Sequence, residues 1–263
     1  MRIIDIHTHI FPERIAIKAA TNIGDFYGIR MRDDGTLNTL LEYIGQDKID
    51  HFVIHSVATT PEQVVSINNF VADSIKEHPN RLTGFATLHP ALDDLPGEVA
   101  RAKALGLKGV KLHPDFQLFS LDSPEAYKIY EIIQDDLPLL VHTGDNRYNY
   151  SNPKLVRPVM RDFPRLKLVC AHFGGYSEWN EAEEALKGLD VYVDTSSSMF
   201  LLSAERARGL INHFGTDRVL FGSDYPMWSP TEEAKIIMEL GLGDATLEKI
   251  MHKNAEELLG MKP

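Results

Sequence analysis

Eight short runs rich in Val, Ile and Leu punctuate the chain, at residues 2–6, 51–57, 82–88, 107–112, 138–142, 166–171, 190–194 and 218–222. Each is apolar along its length rather than alternating, the pattern of strands in a parallel sheet covered on both faces. The segments between them carry helical spacing: Leu37, Leu40, Leu41 and Ile44, then Val64, Ile67, Val71 and Ile75, then Tyr127, Tyr130 and Ile133. Parallel neighbours need a right-handed crossover, and a helix supplies it. Eight strand–helix units close a barrel, and the 263 residues suit a fold that takes about 250 as one unit. The expected architecture is α/β, a (β/α)8 TIM barrel spanning residues 1–263 as one domain. No repeat or low-complexity linker divides it.

Junction signals agree. Thr60-Pro61 with Gln63, Ser123-Pro124, and Ser229-Pro230 with Glu232 each set a hydroxyl before a proline at the first helical position. Leu247, Ile250, Met251, Ala255, Leu258 and Leu259 predict a terminal amphipathic helix that stops at Gly260 and packs across the barrel exterior. The stretch from Ile10 to about Thr36, with Phe11, Phe26, Tyr27, Arg30 and Arg32, reads as a long first βα loop on the catalytic face.

Chemistry concentrates where the strands end. Asp5-Ile6-His7-Thr8-His9 closes the first run, and a period of two sends both histidines to one face. Leu139-Leu140-Val141-His142, Leu168-Val169-Cys170-Ala171-His172 and Leu220-Phe221-Gly222-Ser223-Asp224 repeat the arrangement of an apolar strand ending in a metal-competent residue. Taken alone, a histidine after a strand is ordinarily structural. In a barrel, however, every strand end meets the same mouth, so these five residues converge. Neutral imidazoles and a carboxylate suit a borderline divalent ion such as zinc.

These motifs, together with Phe173-Gly174-Gly175, Tyr225-Pro226 and Asn254-Ala255, resemble the amidohydrolase superfamily along essentially the whole chain, and most closely its aminocarboxymuconate-semialdehyde decarboxylase-like branch. The resemblance implies a divalent metal, usually zinc, on His7, His9, His142 and Asp224, with His172 beside it as acid–base or polarising group. Water held at such a site ionises near neutral pH. Hydrolysis of a small amide, ester or lactone is then the first expectation, with His172 stabilising the oxyanion and Asp224 passing a proton to the leaving group. Non-oxidative decarboxylation or hydration of an unsaturated or aromatic acid is the alternative, and a non-catalytic, metal-stabilised binding barrel is a third.

Lys111, in Gly109-Val110-Lys111-Leu112-His113-Pro114, is a departure from that branch. Carboxylated, it would bridge a second metal, recruiting His142 and His172; unmodified, it would meet a substrate carboxylate or form an ion pair. His113, Arg147, Tyr225 and Trp228 are further candidates for the substrate pocket, while His55 and His89 are expected at the rim. Cys170, the single cysteine, cannot form an internal disulfide and reads as a small buried hydrophobe. A net charge of −11 with no basic run argues against nucleic-acid and anionic-membrane partners. With no signal-like N-terminus and no window near 18 apolar residues, the expectation is a cytoplasmic enzyme for a small molecule, in the homo-oligomeric form usual for such enzymes.

Overall fold

The computed structural model describes residues 1–45 and 49–261. All eight apolar runs form strands: β1 (Ile4–His9), β2 (His51–His55), β3 (Leu82–Thr87), β4 (Gly109–Leu112), β5 (Leu139–Val141), β6 (Leu168–Cys170), β7 (Tyr192–Asp194) and β8 (Val219–Leu220). They pair in chain order, every pair parallel. Past the end of β8 the chain returns to β1: Ile6 N donates to Phe221 O (3.0 Å), Asp224 N to His7 O (2.9 Å) and His9 N to Tyr225 O (2.7 Å). With helices such as Val64–Glu77, Pro124–Ile133 and Ala204–Phe214 as crossovers, this is a (β/α)8 TIM barrel. Among the described residues no helix is long and apolar enough to cross a membrane.

Alternation along the strands builds two apolar layers. Ile4, Ile6, Val53, Phe85, Leu140, Val169 and Leu220 fill the barrel, while Phe52, Ile54, Val110, Leu112, Leu139, Val141, Cys170 and Val193 face outward under the helices. The pairing of β1 with β2 slips between Asp5 and Thr8. Ile6 therefore stays inside the barrel although His7 and His9, two residues apart, both reach its rim. Gly222 lies against this strand, where a β-carbon would stand 2.9 Å from that of His7.

Ser123 and Ser229 cap their helices by accepting from Ala126 N and Glu232 N. Thr60 does not cap; Gln63 instead reaches back to Thr59 N at 2.8 Å, and the segment opens as a 3-10 turn, Pro61–Gln63. The helix predicted from Leu37 ends at Leu41, and Ile44 bridges to Ile49 instead.

Two larger differences bear on function. The stretch expected as a loop holds a fifteen-residue helix, α1 (Glu13–Tyr27). Its buried side is made of small residues, Ala16, Ala20 and Gly24, and Pro12 before it makes no side-chain cap, so the usual helix signals are faint. The C-terminal segment, expected on the barrel exterior, lies there only in its first half, where Leu247, Ile250 and Met251 join the outer cluster. It runs as Asp244–Glu248, a π-turn at Lys249–Lys253, and Asn254–Leu259 ended by left-handed Gly260. Ala255 and Leu258 join the interior cluster of the barrel, and Asn254 donates to Thr216 O and Val219 O just ahead of and within β8. The segment thus plugs the end of the barrel opposite the histidines.

Candidate metal centre

At the open end of the barrel β1 and the loop after β8 bring three donors together. His7 Nε2 lies 3.3 Å from His9 Nε2, and Asp224 Oδ1 lies 3.4 Å from the former and 3.5 Å from the latter. Ligands held about 2.0–2.2 Å from one divalent ion are roughly 3.0–3.6 Å apart, so the spacing matches a shared cation. The tautomer matches as well. His7 Nδ1–H donates to Asp194 Oδ2 at 2.8 Å, which leaves the lone pair of Nε2 facing the other two donors. Asp224 Oδ2 accepts from Ser197 Oγ, turning Oδ1 inward.

A second cluster adjoins the first. His142 Nδ1 faces His172 Nε2 at 2.9 Å, and His172 Nδ1–H donates to Ser196 O at 3.0 Å. The ring of His172 is 5.2 Å from that of His7. Lys111 Nζ, fully buried, donates to His7 Nε2 at 3.1 Å. Of the four residues expected to share one ion, His7, His9 and Asp224 therefore form one group, while His142 pairs with His172. His142 Nε2 and both ring nitrogens of His55 are buried without a hydrogen-bond partner among the described residues. Buried polar atoms are rarely left so unless an ion or water answers them, and the rings of His7 and His9 lie 5.2 and 4.4 Å from that of His55.

Burial sets the charge state. It holds His7, His9, His55, His113 and His142 well below the ordinary histidine range, with Lys111 adding to the effect in each, and His172 down to about 3. All are neutral at pH 7 and able to donate lone pairs. Burial likewise lowers Lys111 to about 8 against the pull of Asp224 and Asp194, and raises Asp224 to about 6 against Ser197 and Lys111. Backbone strain is concentrated here: His172, Ser197 and Asp224 have φ of 60°, 44° and 66°, conformations that cost a non-glycine residue on the order of 1–3 kcal/mol.

A family model described as amidohydrolase matches residues 4–261. The chain belongs to the amidohydrolase family. Gamma-resorcylate decarboxylase of Polaromonas sp. (strain JS666 / ATCC BAA-500) is 23% identical over 284 residues, covering 88% of this chain and 85% of the relative. Among solved structures, an uncharacterized TIM-barrel protein from Bordetella bronchiseptica superposes with a TM-score of 0.79 at 22% identity, over 99% of both chains. Dihydroxybenzoic acid decarboxylase from Polaromonas sp. JS666, with bound manganese and the inhibitor 2-nitroresorcinol, superposes with a TM-score of 0.76 at 18% identity, over 99% of this chain and 97% of that one.

In this amidohydrolase, an enzyme by its family, the donors form the floor of a cavity of about 590 Å³. His113 lines it, stacked between His142 and Phe116 with ring centroids 4.0 and 3.8 Å away and accepting or donating at Tyr27 Oη, 3.0 Å distant. Arg147, Tyr225 and Trp228, expected as pocket residues, are not part of the wall. The Arg147 guanidinium is held by both oxygens of Asp145 and by Phe26 O, and lies over the Phe26 ring. Tyr225 is fully buried and donates to Thr36 O. Trp228 donates to Ser197 Oγ and stacks on Phe200. Its effect on the site passes through the serine that holds Asp224. Cys170 lies in the outer layer, where burial pushes its thiol up.

The sequence reading missed Asp194 and Ser196. Asp194 ends β7 and accepts from His7 Nδ1, His172 N (3.0 Å) and Ser196. The run 190–194 ends in a carboxylate just as the run before Asp224 does, so the same rule applied to β7 would have found it.

Proposed function

We infer that this amidohydrolase removes carbon dioxide from a small aromatic acid, using a divalent cation held by His7, His9 and Asp224. The observation that carries this reading is the pairing of a cation-holding floor, with the buried amine of Lys111 in it, and the cavity wall above built from Phe11, Ile23, Phe26 and Phe116. A carboxylate head finds positive charge at the floor, and an aromatic ring finds apolar cover. Likeness to proteins named as resorcylate and dihydroxybenzoate decarboxylases supports the same reaction, and the manganese of one of them supports a divalent ion. Hydrolysis, the first expectation from the sequence, becomes the second reading.

The cation, when bound, supplies a Lewis acid for the oxygens of the substrate head. The chain's own groups do the rest. Lys111 counters the carboxylate charge, and the apolar wall keeps bulk water from the ring. Asp224, ionised while it holds the cation and oriented by Ser197, takes up a proton from solvent once the substrate is bound and passes it to the ring carbon that bears the carboxylate. The bond to the carboxyl carbon then breaks, its electron pair returns to the ring, carbon dioxide leaves, and Asp224 is again ionised. His172, tied to the Ser196 carbonyl, orients His142 beside the floor.

Incubating the manganese- or zinc-loaded protein with 2,6-dihydroxybenzoate should release carbon dioxide and resorcinol in equal amounts. Cleavage of ester, amide or lactone panels with no carbon dioxide from any aromatic acid would restore the hydrolase. Elemental analysis should find one ion per chain. Two ions would call for a second site, for which the His142–His172 pair and a carboxylated Lys111 would be the candidate donors.

A further inference from the structure

The cavity is several times larger than a single aromatic ring needs, and its excess lies between two helices. α1 turns Ile15, Ala19, Ile23 and Phe26 toward the cavity, one stripe at helical spacing. The helix Val64–Glu77 offers Ile67 and Phe70 from the same kind of stripe. Asn22 and Ser66 interrupt this wall, and Arg14 stands at its exposed end.

How α1 is packed shows what the space is for. A surface helix ordinarily buries its large apolar side chains and exposes polar ones. α1 departs from this: it buries only the small residues Ala16, Ala20 and Gly24, while Ile15, 45% exposed, and the half-buried Ile23 and Phe26 line the cavity and Ile17, 71% exposed, lies outside it. Ile67 and Phe70 opposite are likewise half-buried. The apolar area held in contact with water on both walls is what a ligand would cover, and a volume near 590 Å³ lies in the range of about 300–1,000 Å³ of pockets that enclose drug-sized ligands.

We propose that the substrate is an acid carrying an apolar extension, an alkyl chain or second ring, which lies between α1 and the helix Val64–Glu77 while the acid head sits over the cation-holding floor. The head rests on the decarboxylase reading; the extension rests on the cavity. Acids without such an extension are then held by the floor alone and bind more weakly.

The test is isothermal titration of the manganese-loaded protein with 2,6-dihydroxybenzoate and its 4-propyl and 4-hexyl derivatives, with carbon dioxide release followed in parallel. Each buried methylene should tighten binding by about three- to fourfold until the arm is filled. Ala19→Phe, on a half-exposed face that a phenyl ring enters without disturbing the buried side of the helix, should erase that gain and leave the unsubstituted acid bound as before. Ile67→Phe should do the same from the opposite wall. Affinity that stays flat with chain length in the unaltered protein overturns the proposal, as does a chain-length gain that survives both substitutions. Release of carbon dioxide from the bare ring with flat chain dependence would sink the extension alone. Chain-dependent binding without carbon dioxide from any member would keep the arm and sink the decarboxylase reading. Binding by no member overturns both.

Discussion

Asp194 shows how much of the site depends on a residue that need not touch the substrate. Its carboxylate takes the Nδ1–H of His7, the backbone N–H of His172 and the hydroxyl of Ser196, so one side chain fixes the tautomer of a donor in the first cluster and the loop that carries the second. Replacing such a partner typically lowers metal affinity by about 10–100-fold. Asp194→Asn should do so for manganese, measured by competition with a chelator, while the far-ultraviolet circular dichroism stays unchanged; an unaltered affinity would remove Asp194 from this role. Asp224→Asn should separate two functions, lowering turnover by about 10²–10⁴-fold as expected for loss of a proton donor and manganese affinity by far less. Equal losses in both would leave Asp224 a ligand only. His7, His9, His142, His172 and Asp224 were legible because each ends an apolar run and barrel topology gathers such ends. Their division into two clusters was not, since it depends on ring rotation and on the Asp194 and Ser196 hydrogen bonds. Nor was the fate of Arg147: its neighbour Asp145 is plain in the sequence, but the backbone oxygen and ring of Phe26 that also hold it come from 121 residues away.

At the level of elements, the strands were readable because parallel barrel strands are apolar on both faces, and that signal needs no tertiary context. Helices with large buried residues, such as Pro124–Ile133 with Ile129, Tyr130 and Ile133, announce themselves equally well. α1 hides because its buried face is Ala16, Ala20 and Gly24 and its large apolar residues serve the cavity, so periodicity and burial point different ways. The terminal segment was recognised as helical but misplaced: apolar spacing says that a helix is covered, not by what. Its position in the barrel floor leads to a prediction. Leu258, 6% exposed, belongs to the interior cluster, whose other members come from six strands and the terminal helix itself. Leu258→Ala should cost about 2–5 kcal/mol, the range for a leucine cavity in a core, whereas Leu259→Ala, at a partly buried position, should cost markedly less. Urea unfolding of both variants checks this. Equal small losses would mean that the terminal helix rests on the barrel without closing it.

The whole molecule carries an unusual load of buried titratable groups, and their signs decide how the metal-free protein responds to acid. His7, His9, His55, His113 and His142 are held well below the ordinary histidine value, His51 at about 4 and His172 at about 3. Below pH 6.5 the unfolded chain takes up protons that these seven refuse, so their contribution to stability is complete above 6.5 and is lost as the pH falls. Buried carboxyls act in the opposite direction. Asp5 and Glu233 are raised to about 7, Asp224 and Asp115 to about 6, so over pH 4–7 the folded state holds protons that the unfolded state has released, and these four favour folding at the acid end. Seven groups outweigh four through most of the range from 5 to 6.5, and near pH 7 the two sets come close to balance. The melting temperature of the metal-free protein should therefore climb from pH 5 to about 7, and Lys111, lowered to about 8, keeps the slope positive beyond that. Manganese should steepen the climb, because the ion takes Asp224 as an ionised carboxylate while the metal-free fold keeps that group protonated below about 6; the imidazoles are neutral either way. A melting temperature that is flat or falls between pH 5 and 6.5 would show that the histidines are not packed as neutral rings, and the donor geometry at the barrel mouth would fail with them.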